Sequence, residues 1–170
     1  LETERAYGAE FYHSAQATEE IETRISISSI NSFLTKYSSE WKPSVYHQPL
    51  SLNLQASWSN DSWVLGGRYR YSLGLPTLEP NSAIYQANTD QYLAQWESYP
   101  SGQMPNYQKW DIQIARHWVR KEWRIRGYCE AWYVPTQANY LYPIYNYNYT
   151  EKQLVVGPAF VPLVGFSVEN

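Results

Sequence analysis

The chain holds one cysteine, one methionine and eight glycines in 170 residues. A single cysteine excludes a disulfide framework and a cysteine-based zinc site. A single methionine excludes the pliable methionine-rich groove of promiscuous helix binders. Positive charge is scarce as well: 13 Lys plus Arg stand against 16 Asp plus Glu, a net charge of −3, which gives no electrostatic case for nucleic acid. No run approaches the ~18 apolar residues of a spanning helix. The longest apolar stretch, 154–166, is interrupted by Pro158 and Pro162 and fails as a helix. The chain opens on Leu1 with no initiator Met and no cationic-then-apolar leader, which reads as a mature product, a processed piece or a fragment made for expression.

Aromatic side chains are what the sequence has in quantity. Tyr 17, Trp 8 and Phe 4 make up 17% of the chain, too much surface to leave unburied in a disordered segment. Helical periodicity is nearly absent and period two dominates. In 50–59 one face reads Leu50, Leu52, Leu54, Ala56, Trp58 and the other Ser51, Asn53, Gln55, Ser57, Ser59. In 63–72 Trp63, Leu65, Gly67, Tyr69 and Tyr71 oppose Val64, Gly66, Arg68 and Arg70. In 108–118 Trp110, Ile112, Ile114 and Trp118 oppose Lys109, Asp111, Gln113 and His117, with Arg116 on the apolar face where its long stem can snorkel. In 123–133 Trp123, Ile125, Gly127, Cys129, Ala131 and Tyr133 oppose Arg124, Arg126, Tyr128, Glu130 and Trp132. Weaker alternation over 5–15, 24–35 and 163–170 brings the total to seven predicted strands, and the chain reads as all-β.

The connections sort by length. Short ones (16–23, 59–62, 119–122) alternate strictly with long ones (36–49, 73–107, 134–162). Soluble sandwiches have no reason to sort loops by end, whereas outer-membrane barrels carry short periplasmic turns and long external loops. Trp58, Trp63, Trp118 and Trp123 flank two short turns on the apolar face, and Tyr69, Tyr71, Trp110 and Tyr133 stand at the opposite strand ends. Trp63 to Tyr71 is eight steps, roughly 20 Å after a tilt of ~40°, close to the ~25 Å apolar band between two aromatic girdles. A soluble antiparallel sheet packed on a second sheet explains the alternation too, but not the loop sorting or the tryptophans at the turns.

Several segments resemble TonB-dependent outer-membrane receptors. Met104-Pro105-Asn106-Tyr107-Gln108-Lys109-Trp110-Asp111-Ile112-Gln113-Ile114 is similar to the opening of a late barrel strand in that family. Trp123-Arg124-Ile125-Arg126, continuing to Asn139, and Tyr145-Asn146-Tyr147-Asn148-Tyr149 resemble its penultimate strand and last external loop. Pro162-Leu163-Val164-Gly165-Phe166-Ser167-Val168-Glu169 resembles the closing strand, Glu4-Arg5-Ala6-Tyr7-Gly8-Ala9-Glu10 an upstream one, and Arg68-Tyr69-Arg70-Tyr71-Ser72-Leu73-Gly74-Leu75-Pro76 a strand leading into a large loop. The likeness implies an antiparallel transmembrane β-barrel segment of about 7–8 strands, part of a barrel of about 22, with 1–170 as a single unit lacking the plug. Two features depart from the family: no plug or TonB-gripped segment is present, and the chain ends in Asn170 where such barrels tend to end in an aromatic residue.

Seven strands leave two unpaired edges, and barrels of this kind are even-stranded. Either an eighth strand lies within 140–156, or another chain or a missing N-terminal part completes the barrel and plug. The second option is the expectation. Partners are then the lipid bilayer, that completing part, and TonB reached through it; the location is the bacterial outer membrane with the C-terminus at the periplasmic side.

Catalytic chemistry is not expected. His13, His47 and His117 lack ligand spacing, and no metal or other cofactor is indicated. Asp111 and Glu130 share a face with Arg68, Arg70, Arg124, Arg126 and Gln113, which makes a lumen-facing polar network the natural reading. That network either braces a plug or lines an anion-tolerant path. The long loops carry the recognition candidates Tyr85, Tyr92, Trp96, Tyr140, Tyr142 and Tyr145. The leading functional expectation is an outer-membrane transport component taking up a scarce nutrient of the siderophore, cobalamin or oligosaccharide class. The alternatives are a repurposed or split barrel subunit that docks other proteins, and a self-closed small barrel acting as an adhesin or enzyme.

Overall fold

A computed structural model describes residues 2–36, 40–134 and 137–169. The described residues form strands in the order β1 (Glu2–Gln16), β2 (Ile21–Lys36), β3 (Lys42–Pro43), β4 (Gln48–Ser59), β5 (Trp63–Ser72), β6 (Pro76–Thr77), β7 (Pro80–Gln86), β8 (Gln91–Trp96), β9 (Gly102–Gln103), β10 (Tyr107–Arg120), β11 (Trp123–Val134), β12 (Tyr140–Tyr145), β13 (Lys152–Val156) and β14 (Val161–Glu169). No helix occurs among them, so the chain is all-β. The seven long strands coincide with the seven period-two stretches of the sequence, except that the terminal Asn170 lies outside the described residues.

These seven pair as one antiparallel meander, β1-β2-β4-β5-β10-β11-β14, with β3 added onto β2. Register follows the side-chain pattern. Ile27↔Leu52, Leu52↔Tyr71 and Tyr71↔Gln108 lie on one face, as do Leu54↔Tyr69, Tyr69↔Trp110, Ile114↔Leu65, Ile114↔Cys129 and Cys129↔Val164. Ser26↔Asn53, Asn53↔Arg70, Lys109↔Arg70, Asp111↔Arg68 and Gln113↔Glu130 lie on the other. A slip of one residue would invert a whole strand, so five concordant ladders fix the two faces together.

The sheet does not close. β1 and β14 pair only with β2 and β11, so among the described residues the chain is not a closed barrel, which corrects the self-closed alternative. The 140–156 region adds no eighth strand to the sheet either; β12 and β13 pair with each other as a separate hairpin. The 73–106 connection is also more than a loop. β6 pairs with β9, and β7 with β8 beyond it, so β5 and β10 are joined by a nested hairpin arm.

The described residues form no apolar core. Among the described residues only Leu34 and Ala115 are buried hydrophobics. The chain exposes 11832 Å², against about 8,700 Å² for a compact folded monomer of its 19.9 kDa mass. Among the described residues no second layer covers the apolar face, where Val164 and Phe166 are 80% and 78% exposed.

Candidate functional site

At the short-turn end three of the tryptophans are held by polar and charged partners. Trp58 Nε1 donates to Glu20 Oε2 at 2.7 Å, and the Arg116 guanidinium lies 4.9 Å and 5.3 Å from the rings of Trp63 and Trp118. An arginine on the apolar face is thereby held among π-faces close to the turn, the position a snorkelling side chain needs. Trp123 sits opposite Arg120 at the same end. At the other end Tyr69 packs on its cross-strand partner Trp110 with centroids 4.5 Å apart, and Asn106 Nδ2 donates to Tyr71 Oη at 3.0 Å.

Tyr133 departs from this outer girdle. The β10–β11 register shifts between Trp110 and Ile112, and Tyr133 takes a left-handed φ of 56°. The extra residue of the bulge turns the Tyr133 ring onto the polar face, where it lies 3.8 Å from Lys109 Nζ.

The polar face carries a charged hub there. Lys109, only 7% exposed, places Nζ 3.0 Å from Asp111 Oδ1; Arg70 Nη2 is 3.7 Å from Asp111 Oδ2; the Tyr133 backbone N–H donates to Asp111 Oδ1 at 3.2 Å. A buried ammonium needs a countercharge and donors directed at acceptors, and Asp111 provides both. Alongside, Glu130 accepts from Gln113 Nε2 at 3.1 Å and from Trp132 Nε1 at 2.9 Å, and Arg68 donates to Gln55 Oε1 at 3.2 Å. Arg68, Arg70, Asp111, Gln113 and Glu130 therefore line one open hollow of about 390 Å³. Arg124 and Arg126 do not: they face Val119 and His117, nearer the short turns. Lys109 and Trp132 complete the hollow, and only their period-two positions signalled them. Asn53 Oδ1 and Arg70 Nε, on cross-strand partners, are buried without hydrogen-bond partners among the described residues.

A second candidate lies on the hairpins. Tyr85↔Tyr92 is a register pair on the β7–β8 face that meets the β12–β13 hairpin. Tyr92 meets Tyr147 edge-on at 5.5 Å, and Trp96 meets Tyr145 and Tyr149 edge-on at 5.9 Å and 6.3 Å. Edge-to-face contacts at these separations are attractive beyond their buried area. Lys152 pairs with Glu79, and Tyr147 Oη donates to the Asp90 carbonyl, so a charged and a polar contact join the same two hairpins. Asn139 bonds the Gln108 backbone with both amide atoms, at 2.9 Å and 2.6 Å, and ties the second hairpin to the start of β10.

Of the residues proposed for loop recognition, Tyr85, Tyr92, Trp96 and Tyr145 thus meet, joined by Tyr147 and Tyr149. Tyr140 pairs with Val156 and Tyr142 is exposed, with no ring contact to the cluster. Burial, then the Glu79 carboxylate, raises the Tyr145 hydroxyl above its ordinary range. A hydrogen bond to Asp90 raises that of Tyr85. Among the described residues no three His, Cys, Asp or Glu side chains gather into a metal-binding group. Set against known protein families, curated proteins and solved structures, the chain matches none, so the reading of its sites rests on its own geometry.

Proposed function

We propose that the chain is a barrel segment of an outer-membrane transport component resembling TonB-dependent receptors, its apolar face against lipid and its polar face toward a lumen. One observation carries this reading: an apolar face in continuous register across seven strands, with Trp at the short-turn end and Tyr69, Tyr71 and Trp110 at the other, and nothing among the described residues covering it. In water such a face of Leu, Ile, Val and Phe would drive association; in a bilayer it is the required surface.

Strand polarity supports completion by other strands. β1 and β14 both run from the long-loop end to the short-turn end, because direction alternates along the meander and seven is odd. Self-closure would make a parallel seam, and so would a second copy in the same membrane orientation. An all-antiparallel closure takes an odd number of further strands, the outer two running from short turns to long loops. A total of about 22 satisfies that parity. The completing strands, the plug and any contact with TonB belong to a part of different sequence.

The test is lipid contact. In vesicles carrying brominated acyl chains, quenching of Trp fluorescence is expected to fall when Trp110 or Trp118 is replaced by Phe, and to stay unchanged on Trp132→Phe, which faces the polar side. Equal quenching losses for Trp118 and Trp132, or no association with vesicles, would overturn the membrane reading.

A further inference from the structure

We infer that the clasped hairpins form a binding platform for a neutral glycan, with Trp96, Tyr147 and Tyr85 as its stacking surfaces. The inference deepens the transport reading, in which the long-loop end meets the ligand first, but it stands on the hairpins' own chemistry.

Half of the aromatic cluster is foundation. Tyr92, Tyr145 and Tyr149 are half-buried and hold their neighbours by edge contacts, while Trp96, Tyr147 and Tyr85 remain 50%, 62% and 48% exposed. Rings already packed against partners lose little further freedom when a ligand stacks on them, so binding is preorganised. Polar side chains fill the two turns: Asn88, Thr89 and Asp90 in one, Asn146, Asn148 and Thr150 in the other. Asn146 Oδ1 accepts the Thr150 and Glu151 amides at 2.9 Å and 3.1 Å, which fixes the shape of that turn. A sugar ring offers an apolar C–H face to an aromatic ring and hydroxyls to amides and carboxylates at its rim.

Charge and spacing dispose of the rival ligands. Segments 78–97 and 140–152 carry Glu79, Asp90, Glu97 and Glu151 against one cation, Lys152, which is paired with Glu79. An anionic ligand such as a ferric chelate or phosphate meets a field of the wrong sign. A bare cation would need rings set apart around it, but Trp96, Tyr145 and Tyr149 have mutual centroid separations of 5.9, 6.3 and 6.1 Å and fill one another's space. An uncharged polyhydroxylated ligand remains.

The experiment is calorimetric titration of the full chain in detergent with neutral hexasaccharides of glucose, xylose and mannose, and in parallel with ferric citrate and choline. Saturable binding of at least one hexasaccharide is expected, weakened about tenfold by Trp96→Ala and severalfold by Tyr147→Ala, with Trp96→Phe restoring part of it. Tyr85→Ala, whose ring and hydroxyl among the described residues meet only Tyr92 and Asp90 of its own hairpin, guards against variants that merely open the clasp, and it too is expected to weaken binding severalfold. Failure of all three sugars to bind, preferred binding of ferric citrate or choline, or sugar binding indifferent to the Trp96 and Tyr85 variants would overturn the glycan assignment. Lipid quenching measured on the same preparation reports the membrane reading separately, so either can fail alone.

Discussion

The main sheet and the two hairpins at its long-loop end both leave apolar side chains in the open, for opposite reasons. On the sheet Leu65, Ile112, Ile114, Val164 and Phe166 form one continuous face that nothing among the described residues covers. On the hairpins the aromatic rings pack edge-on against one another with some faces left open, and residues such as Ile84 and Leu93 lie on the far side, paired with one another. The sheet is held by its backbone ladders and depends on its solvent for the rest; the hairpins are held by side chains that they supply themselves. Exposure alone therefore does not separate the two surfaces; continuity of exposure across several strands does, and the proposed membrane face rests on that continuity.

The sharpest way to break that contrast is to place a charge on each surface. If the face meets lipid as proposed, Ile114→Arg is expected to cost about 2–4 kcal/mol in urea unfolding from lipid vesicles, because Ile114 lies midway between the two ends of the sheet. Ile84→Arg should cost no more than about 0.5 kcal/mol, as for an ordinary surface position. Equal costs would erase the distinction. Next in size is the polar face: Asp111→Ala strips Lys109 and Arg70 of their shared carboxylate and should cost about 2–3 kcal/mol. Adding Lys109→Met should recover much of that loss in the same unfolding assay.

The hairpin clasp is expected to be softer. Trp96→Ala removes two edge-to-face contacts and should raise hydrogen exchange in 80–96 and 140–156 by about 1–2 kcal/mol of local opening, leaving β4, β5 and β10 protected as before. Alkali should act on the same element. Because Tyr145 is held protonated by burial and by Glu79, its contribution is complete below the ordinary tyrosine value of about 10 and is lost as pH rises through its higher folded value. Clasp opening measured by exchange or Tyr absorbance should thus increase at high pH and not at low pH. Glu79→Gln is the smallest of these, within about 1 kcal/mol and shrinking further in salt.

The strands of the sheet were legible in the sequence because a sheet with one apolar face writes period two into each strand. The hairpins were not, because both faces of β7–β8 carry apolar residues, Ile84 and Leu93 on one side and Tyr85 and Tyr92 on the other. Pro80 and Pro143 within them also count against a strand when read alone. Their clasp depends on pairs such as Glu79–Lys152, far apart along the chain, which no local pattern encodes. The polar hub was read in part: Arg70 and Asp111 were legible as same-face charges, but the bulge that delivers Tyr133 to Lys109 shifts one residue out of phase. A period-two reading carried through 133 necessarily assigns that side chain to the wrong face.

The nested arm between β5 and β10 has a kinetic consequence. Bringing Ser72 to Tyr107 directly would close a loop of 34 intervening residues in one step. With the 87–90 turn formed first, β7 and β8 zip, then β6 and β9, and each contact closes only the small gap left by the last. The same holds, more loosely, for β11 and β14 across the β12–β13 hairpin. A sheet whose distant strands meet by successive local closures has the contact pattern of a much shorter chain, and its assembly should be limited by formation of hairpins and not by the search for β5–β10 pairing.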